Sequence, residues 1–250
     1  MTVTSASPSV LHEKCAGIRG LLFDKDGTLL DYDASWRRAN YRAADFAAKG
    51  DPALAQSLLE LAGVDTATGV AAADSIMSAG TAVIIAEAWV RGGAPFDRDS
   101  LARALDGIFR DAIADMVPVT DLPVLFAWFR ARGFKLGIAS SDTEDAVWAV
   151  ARAVGIVDHL DFVAGYDSGH GVKPDPAVLI AFCEATGLRP QQVAMIGDNA
   201  HDVGMGRAAR AGLTIGVLTG SGTRETLSPL SDLCLDSISD MKGLFGEARR

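Results

Sequence analysis

Asp24 and Asp26 stand one residue apart at the end of an apolar run, Gly20-Leu21-Leu22-Phe23, and Gly27 follows at once. Two carboxylates so placed can bind a hard cation, attack an electrophile or shuttle a proton. The pair alone leaves all three open. Further along, Ser140-Ser141-Asp142 closes another apolar run, and Lys173 lies in the glycine-containing segment Gly169-His170-Gly171-Val172-Lys173-Pro174. Asp198 and Asp202, four apart, follow a third apolar run. Hydroxyls, a point cation and a second acid pair are side chains complementary to the first pair.

Each group falls where a strand is expected to end or in the loop after it. Residues 21–24, 134–139, 162–165, 192–197 and 213–217 read as strands, and 233–235 as a last edge strand. Helices are expected over 122–132, closed by Gly133, and from a cap at Asp142 or Thr143 to about 154. Two more are expected, over 176–186, closed by Gly187, and ending near Gly212. Strand–helix repeats of this kind predict a parallel sheet covered on both faces, with its chemistry at the strands' carboxyl ends. About ninety residues separate the first strand from the helix at Leu122. Within them, 54–61, 74–90 and 100–114 carry apolar residues at helical spacing, far more than a connection needs. The expected fold is therefore α/β, a Rossmann-like parallel-sheet core of residues 1–33 and 118–250 with an inserted α-helical cap of residues 34–117. An insertion at that edge lies over the site as a lid.

The four elements, in this order, resemble the haloacid dehalogenase superfamily, whose members are mostly magnesium-dependent phosphohydrolases. Asp24-Lys25-Asp26-Gly27-Thr28 matches the first motif, Ser140 the second, Lys173 the third, and Gly197-Asp198 with Asp202 the fourth. The resemblance covers essentially the whole chain. It implies Asp24 as a nucleophile that becomes an aspartyl-phosphate, and Asp26 as general acid and then base. It implies Thr28, Ser140, Ser141 and Lys173 around the phosphate. Mg²⁺ would be held by the Asp24 and Asp198 side chains and the Asp26 carbonyl, with Asp202 outside the ligand set, orienting waters or Lys173. The physics agrees with these roles: an acyl phosphate forms readily and is open to water, and a carboxylate attacking a phosphate dianion needs cations beside it. Simpler structural roles compete. Asp24 and Asp26 could be turn residues, Asp202 a helix cap, and Lys173 a solvated tether.

The superfamily holds several activities. Asp26 counts against dehalogenation. Lys49 is the only lysine in 34–117 and sits beside Gly50-Asp51-Pro52, which counts against a Schiff-base mechanism. Trp36 stands where mutases of the β-phosphoglucomutase type usually carry histidine. The layout is most similar to phosphoglycolate phosphatase. The expected function is hydrolysis of a small phosphomonoester (phosphoglycolate-like or sugar phosphate), with a phosphomutase as the alternative. Lys25, where the family often has an apolar residue, reads as a buried stem whose ammonium reaches solvent, with added positive potential near the site as the alternative. His201 reads as packing or facing solvent, Trp36 as a hinge residue. Arg37-Arg38 and Gly80-Thr81 are the cap or hinge residues expected near the leaving group. Gly204-Met205-Gly206-Arg207-Ala208-Ala209 spells a dinucleotide fingerprint but falls inside an expected helix, where small-residue packing explains it.

The formal net charge of −9, without a basic stripe, argues against a nucleic-acid partner. Cys15, Cys183 and Cys234 are widely separated and read as reduced thiols. Residues 1–9 read as a frayed lead-in without a secretory pattern, and 81–90 is too short to span a membrane and carries Glu87. A cytoplasmic monomer or homodimer acting on a small phosphorylated metabolite, without membrane contact, is the expectation.

Overall fold

Apolar runs that are buried on both faces become the central strands of one mixed sheet. The computed structural model describes residues 3–4 and 8–246. In chain order its strands are β1 (Val3–Thr4), β2 (Gly20–Phe23), β3 (Val64–Asp65), β4 (Val70–Ala71), β5 (Lys135–Ala139), β6 (Phe162–Ala164), β7 (Val193–Gly197), β8 (Leu213–Val217) and β9 (Leu233–Leu235). Seven of them pair in the order β1-β9-β8-β7-β2-β5-β6. The six from β9 to β6 are parallel, and β1 runs antiparallel on β9. Two expectations are corrected here. β9 is not the edge, because Val3–Thr4 covers it, and the start of the chain carries that strand and a helix, Pro8–Gly17, rather than a frayed lead-in. The other residues of 1–9 lie outside the described ones.

The order reverses direction at β2, which lies between β7 and β5, so the crevice at its carboxyl end is a topological switch point. Alternation along β2 anchors that end on both faces. Leu21 and Phe23 pack on the side of helix Leu122–Arg130, Phe23 lying 5.3 Å from the Phe126 ring; Leu22 packs on the other side with Leu179 and Phe182. The core helices Glu144–Ala153 and Ala177–Thr186 begin within two residues of where the sequence placed them, whereas Ala200–Ala208 ends four residues before the Gly212 expected to close it. The Gly204–Ala209 fingerprint lies almost wholly in the last of these, where a Cβ on Gly206 would meet Met195 and Thr214 at 2.8 Å.

The intervening helices Tyr32–Ala47, Pro52–Leu61, Ala82–Arg91 and Arg98–Asp111 enclose a separate hydrophobic cluster. Trp89 is its centre, fully buried, with Nε1 donating to the Leu58 carbonyl at 2.8 Å. The helical stretch 74–90 is broken: Ile76–Ala79 is one turn, and Gly80-Thr81 in extended backbone separate it from Ala82–Arg91, where Thr81 caps. The hairpin β3–β4 escaped the sequence reading because two-residue strands carry no periodicity. Among the described residues, no helix is long and apolar enough to cross a membrane.

Two glycines test this packing in opposite directions. A Cβ at Gly197 would lie 2.2 Å from the Asp202 Cβ, whereas one at Gly107, within helix Arg98–Asp111, meets nothing within 4 Å. Gly197→Ala should therefore cost about 1–3 kcal/mol by overpacking. Gly107→Ala should gain about 0.5–1 kcal/mol from helix propensity. Denaturant unfolding measures both, and a Gly197→Ala protein as stable as the parent would refute the close packing.

Candidate active site

Parallel register levels Phe23 with Ile138 and with Ile196, so residues just past each strand emerge side by side. Asp24 leaves the ladder one residue earlier than expected, its N–H still donating to the Ile196 carbonyl at 2.8 Å. Asp198 follows β7, and Ser140 follows β5. Lys173 enters from the loop ahead of helix Ala177–Thr186 and donates to both Asp24 Oδ1 and Asp202 Oδ1, the latter at 2.7 Å. Asp202 also accepts from the Asn199 N–H at 3.1 Å through Oδ2, so one carboxylate caps its helix and anchors Lys173. The helix-cap role and the contact with Lys173 are therefore both present.

Asp24, Asp198 and Asp202 are buried and offer oxygens all within 4.8 Å of one another. The Asp198 carboxylate accepts from the Ser221 N–H at 2.8 Å. It is hemmed in by backbone: a Cβ would come 2.6 Å from it at Gly27 and 2.0 Å at Gly220. Gly27 further has φ 75°, a left-handed conformation that glycine adopts without steric cost. Three acids facing one ammonium leave negative charge unbalanced in a place water barely reaches. Burial pushes the Asp24 carboxyl up to about 7; Lys173 pulls it down, and Asp202 and Asp26 push it further. Burial likewise lifts Asp198 well above the carboxylate range, with Asp24 and Asp202 adding to it. Burial works against the Lys173 ammonium, but Asp202 and Asp24 outweigh it and raise its pKa. A buried all-oxygen set with surplus negative charge fits a hard divalent cation.

Asp26 lies apart from those acids. Its Oδ1 accepts from Lys25 Nζ at 2.8 Å and from Trp36 Nε1 at 2.6 Å, and its Oδ2 pairs with the same ammonium at 2.6 Å. Lys25 is fully buried, 3.4 Å from Asp142 and 4.9 Å above the Trp36 ring. The solvent-seeking ammonium expected for Lys25 is thus corrected: two carboxylates and an aromatic face replace its water. Desolvation lowers its pKa, yet Asp26 and Asp142 win and hold it raised.

Two cavities meet over this edge. The smaller, about 30 Å³, is lined by Asp24, Ser140, Lys173, Asp198, His201 and Asp202 among others. The larger, about 60 Å³, lies between core and cap against Tyr32, Trp36, Asn40, Met77 and Phe109. Asp26, Ser78 and Ser141 line both. Ser140 Oγ accepts from the Asp142 N–H at 3.1 Å, leaving its own hydrogen for a ligand. Ser141 Oγ donates to the Ala79 carbonyl of the cap at 3.2 Å, and two further bonds span the same gap: Ala200 N–H to Asp74 Oδ1 at 2.9 Å and Tyr166 Oη to Asp106 Oδ2 at 3.0 Å.

Several expected positions fall elsewhere. Thr28 is fully buried, lines neither cavity, and its Oγ1 has no partner among the described residues. His201 lines the smaller cavity instead of packing or facing solvent alone. Of the cap residues, Gly80 reaches the larger cavity. Arg37 and Arg38 face solvent, Arg38 in an exposed 3.8 Å pair with Asp115. Trp36 is buried against Asp26. Lys49 sits over the Phe96 ring, beyond the far end of helix Tyr32–Ala47 and on the order of 20 Å along its axis from Trp36. Asn40, Ser78 and Asn199 had no sequence signal, since only a closed cap brings the first two to the site.

The raised carboxyl makes a directional prediction for chelator-treated protein. Asp24 shifts from 3.8 to about 7 on folding. A carboxyl whose pKa is raised by folding stabilises the fold while it keeps its proton, and that contribution is lost as pH climbs from about 4 to about 7. The Tm of the parent minus that of Asp24→Asn should therefore fall steadily across this interval in calorimetric scans. A difference that rises or stays flat contradicts the charge balance described.

With this geometry in view, comparison with known proteins is informative. Residues 18–210 match the model of the haloacid dehalogenase-like hydrolases. A phosphoglycolate phosphatase of Shigella boydii is 28% identical over 257 aligned positions, covering 93% of this chain and 94% of that protein. The chain spans about half the length of several other curated relatives it matches. A "predicted phosphoglycolate phosphatase" of Haemophilus somnus superposes with a TM-score of 0.69 at 17% identity, over 91% of this chain and 98% of that one. The β-phosphoglucomutase of Clostridium difficile gives 0.63 at 18% identity, over 92% and 97%. The last two likenesses speak for the fold alone. The family match spans well over half the sequence: this chain belongs to the haloacid dehalogenase-like hydrolases.

Proposed function

We propose that the protein is a magnesium-dependent phosphatase that hydrolyses a small phosphomonoester through an aspartyl-phosphate on Asp24. The observation that carries this reading is the placement of Asp24 at the switch point, touching Lys173, with Asp26 two residues on at the junction of the two cavities. Asp24 and Asp198 side chains, with the Asp26 carbonyl, would hold Mg²⁺. When bound, the ion supplies positive charge that favours ionised carboxylates and a phosphate dianion in the same small space.

The chain's own residues support the remaining steps. Asp24 Oδ attacks phosphorus as the bond to the ester oxygen breaks, and Asp26 gives that oxygen a proton. Water then attacks the phosphoryl group, Asp26 takes its proton, and Asp24 is released with inorganic phosphate. Lys173 and the Ser140 hydroxyl bear on the phosphoryl oxygens, where charge accumulates. In the geometry described, both Asp26 oxygens are occupied by donors, which suits its proton-accepting half of the cycle. Asp202 holds Lys173 in place. The cap is read as residues 34–117, because the chain is pinned at both crossings: Asp31 N–H donates to the Val117 carbonyl at 2.8 Å, and Leu30 bridges Pro118. Phosphoglycolate phosphatase relatives favour a small ester over a mutase substrate.

Purified protein with Mg²⁺ should release phosphate from 4-nitrophenyl phosphate, and chelation should stop it. Asp24→Asn should lower kcat by at least about a thousandfold, as loss of a nucleophile does. Asp24→Asn turning over at the parental rate overturns the assignment, and formation of a sugar-phosphate isomer faster than free phosphate would favour a mutase.

A further inference from the structure

The larger cavity lies where the alcohol half of an ester would sit, beyond Asp26 from the acid cluster, and its walls say what that alcohol can carry. Its volume, about 60 Å³, holds on the order of four water-sized groups. Its wall contains two carboxylates, Asp26 and Asp142, and the polar atoms of Asn40, Ser78 and Ser141. No Lys, Arg or His side chain is among its described lining residues. The cations nearby are committed elsewhere. Lys25 is fully buried behind the wall, its ammonium held by Asp26 and Asp142. Lys173 is engaged by Asp24 and Asp202, and Arg37 and Arg38 face solvent. His201 lines the smaller cavity and not the larger.

Two acids against one buried ammonium leave the wall negative on balance. A carboxylate on the leaving group would enter a desolvated space with like charge and no counter-ion. A hydroxyl in the same place can donate to Asp142 and accept from Asn40.

We infer that the substrate's leaving group is a small uncharged alcohol bearing a further hydroxyl, of about two or three carbons, and that Asp142, supported by Lys25, rejects acids. The inference rests on the phosphatase reading above and departs from phosphoglycolate, whose alcohol half carries a carboxylate.

The cleanest probe pair is 2-hydroxyethyl phosphate and 2-phosphoglycolate, which differ in CH₂OH against COO⁻ at nearly equal size. Binding of each to Asp24→Asn with Mg²⁺, by calorimetry, should favour the hydroxyethyl ester at least about tenfold, between the scale of a like-charge contact in bulk water and that of one near a protein surface. The parent should show the same order in kcat/KM. Asp142→Asn should shrink the ratio severalfold in both measurements. Equal or tighter binding of phosphoglycolate, an unchanged ratio in Asp142→Asn, or binding of neither ester at millimolar concentration overturns the inference. The two readings separate cleanly: absent 4-nitrophenyl phosphate turnover with retained discrimination in binding sinks the phosphatase, whereas turnover with a preference for phosphoglycolate sinks only the substrate class.

Discussion

Three buried carboxylates sharing one ammonium are the constraint around which the carboxyl edge of this sheet is built. Taking charge out of water costs several kcal/mol per ion unless a partner sits at contact distance. Lys173 reaches two of the three acids, and Asp198 relies on a backbone N–H from Ser221. Burial is the main cause of the raised carboxyls, with the neighbouring acids adding to it, and the glycines at 27 and 220 let backbone close around Asp198. The first turn of helix Ala200–Ala208 is bound into the same network, since Asp202 cannot cap the helix through one oxygen without presenting the other to Lys173. Stability is given up here for a site that fits positive charge.

A second ionic cluster lies one residue away and has different work. Asp24 and Lys25 are adjacent in sequence but differently placed: Asp24 lines the smaller cavity, whereas Lys25 is fully buried and lines neither. Lys25 ties Asp26 to Asp142, and Trp36 of the cap donates to the same Asp26. Cap and core therefore meet on the residue assigned to proton transfer. The other bonds across the gap, from Ser141, Ala200 and Tyr166, are single hydrogen bonds. Each contributes on the order of 1 kcal/mol net. A cap with its own hydrophobic core, joined by so few and such weak links, can open for substrate without unfolding.

The α/β fold, and the strand ends that carry the motif residues, were legible in the sequence alone. Continuous apolar runs and turn residues marked the ends of β2, β5, β7 and β8 to within a residue or so, and the motifs fell at those ends because open sheets expose functional groups there. Such signals are local, written in a few consecutive residues. What tertiary structure alone decided were meetings between distant segments. The extra strand Val3–Thr4 on β9 is too short to leave a pattern, and the break at Gly80-Thr81 shows only when Ser78 and Gly80 turn toward the cavity. Lys25 is the sharpest case. Its sequence neighbours say that it is buried, but whether its ammonium finds water or acid depends on Asp142 arriving from β5, beside β2 in the sheet. Strand order, which no local pattern encodes, put that lysine between Asp26 and Asp142.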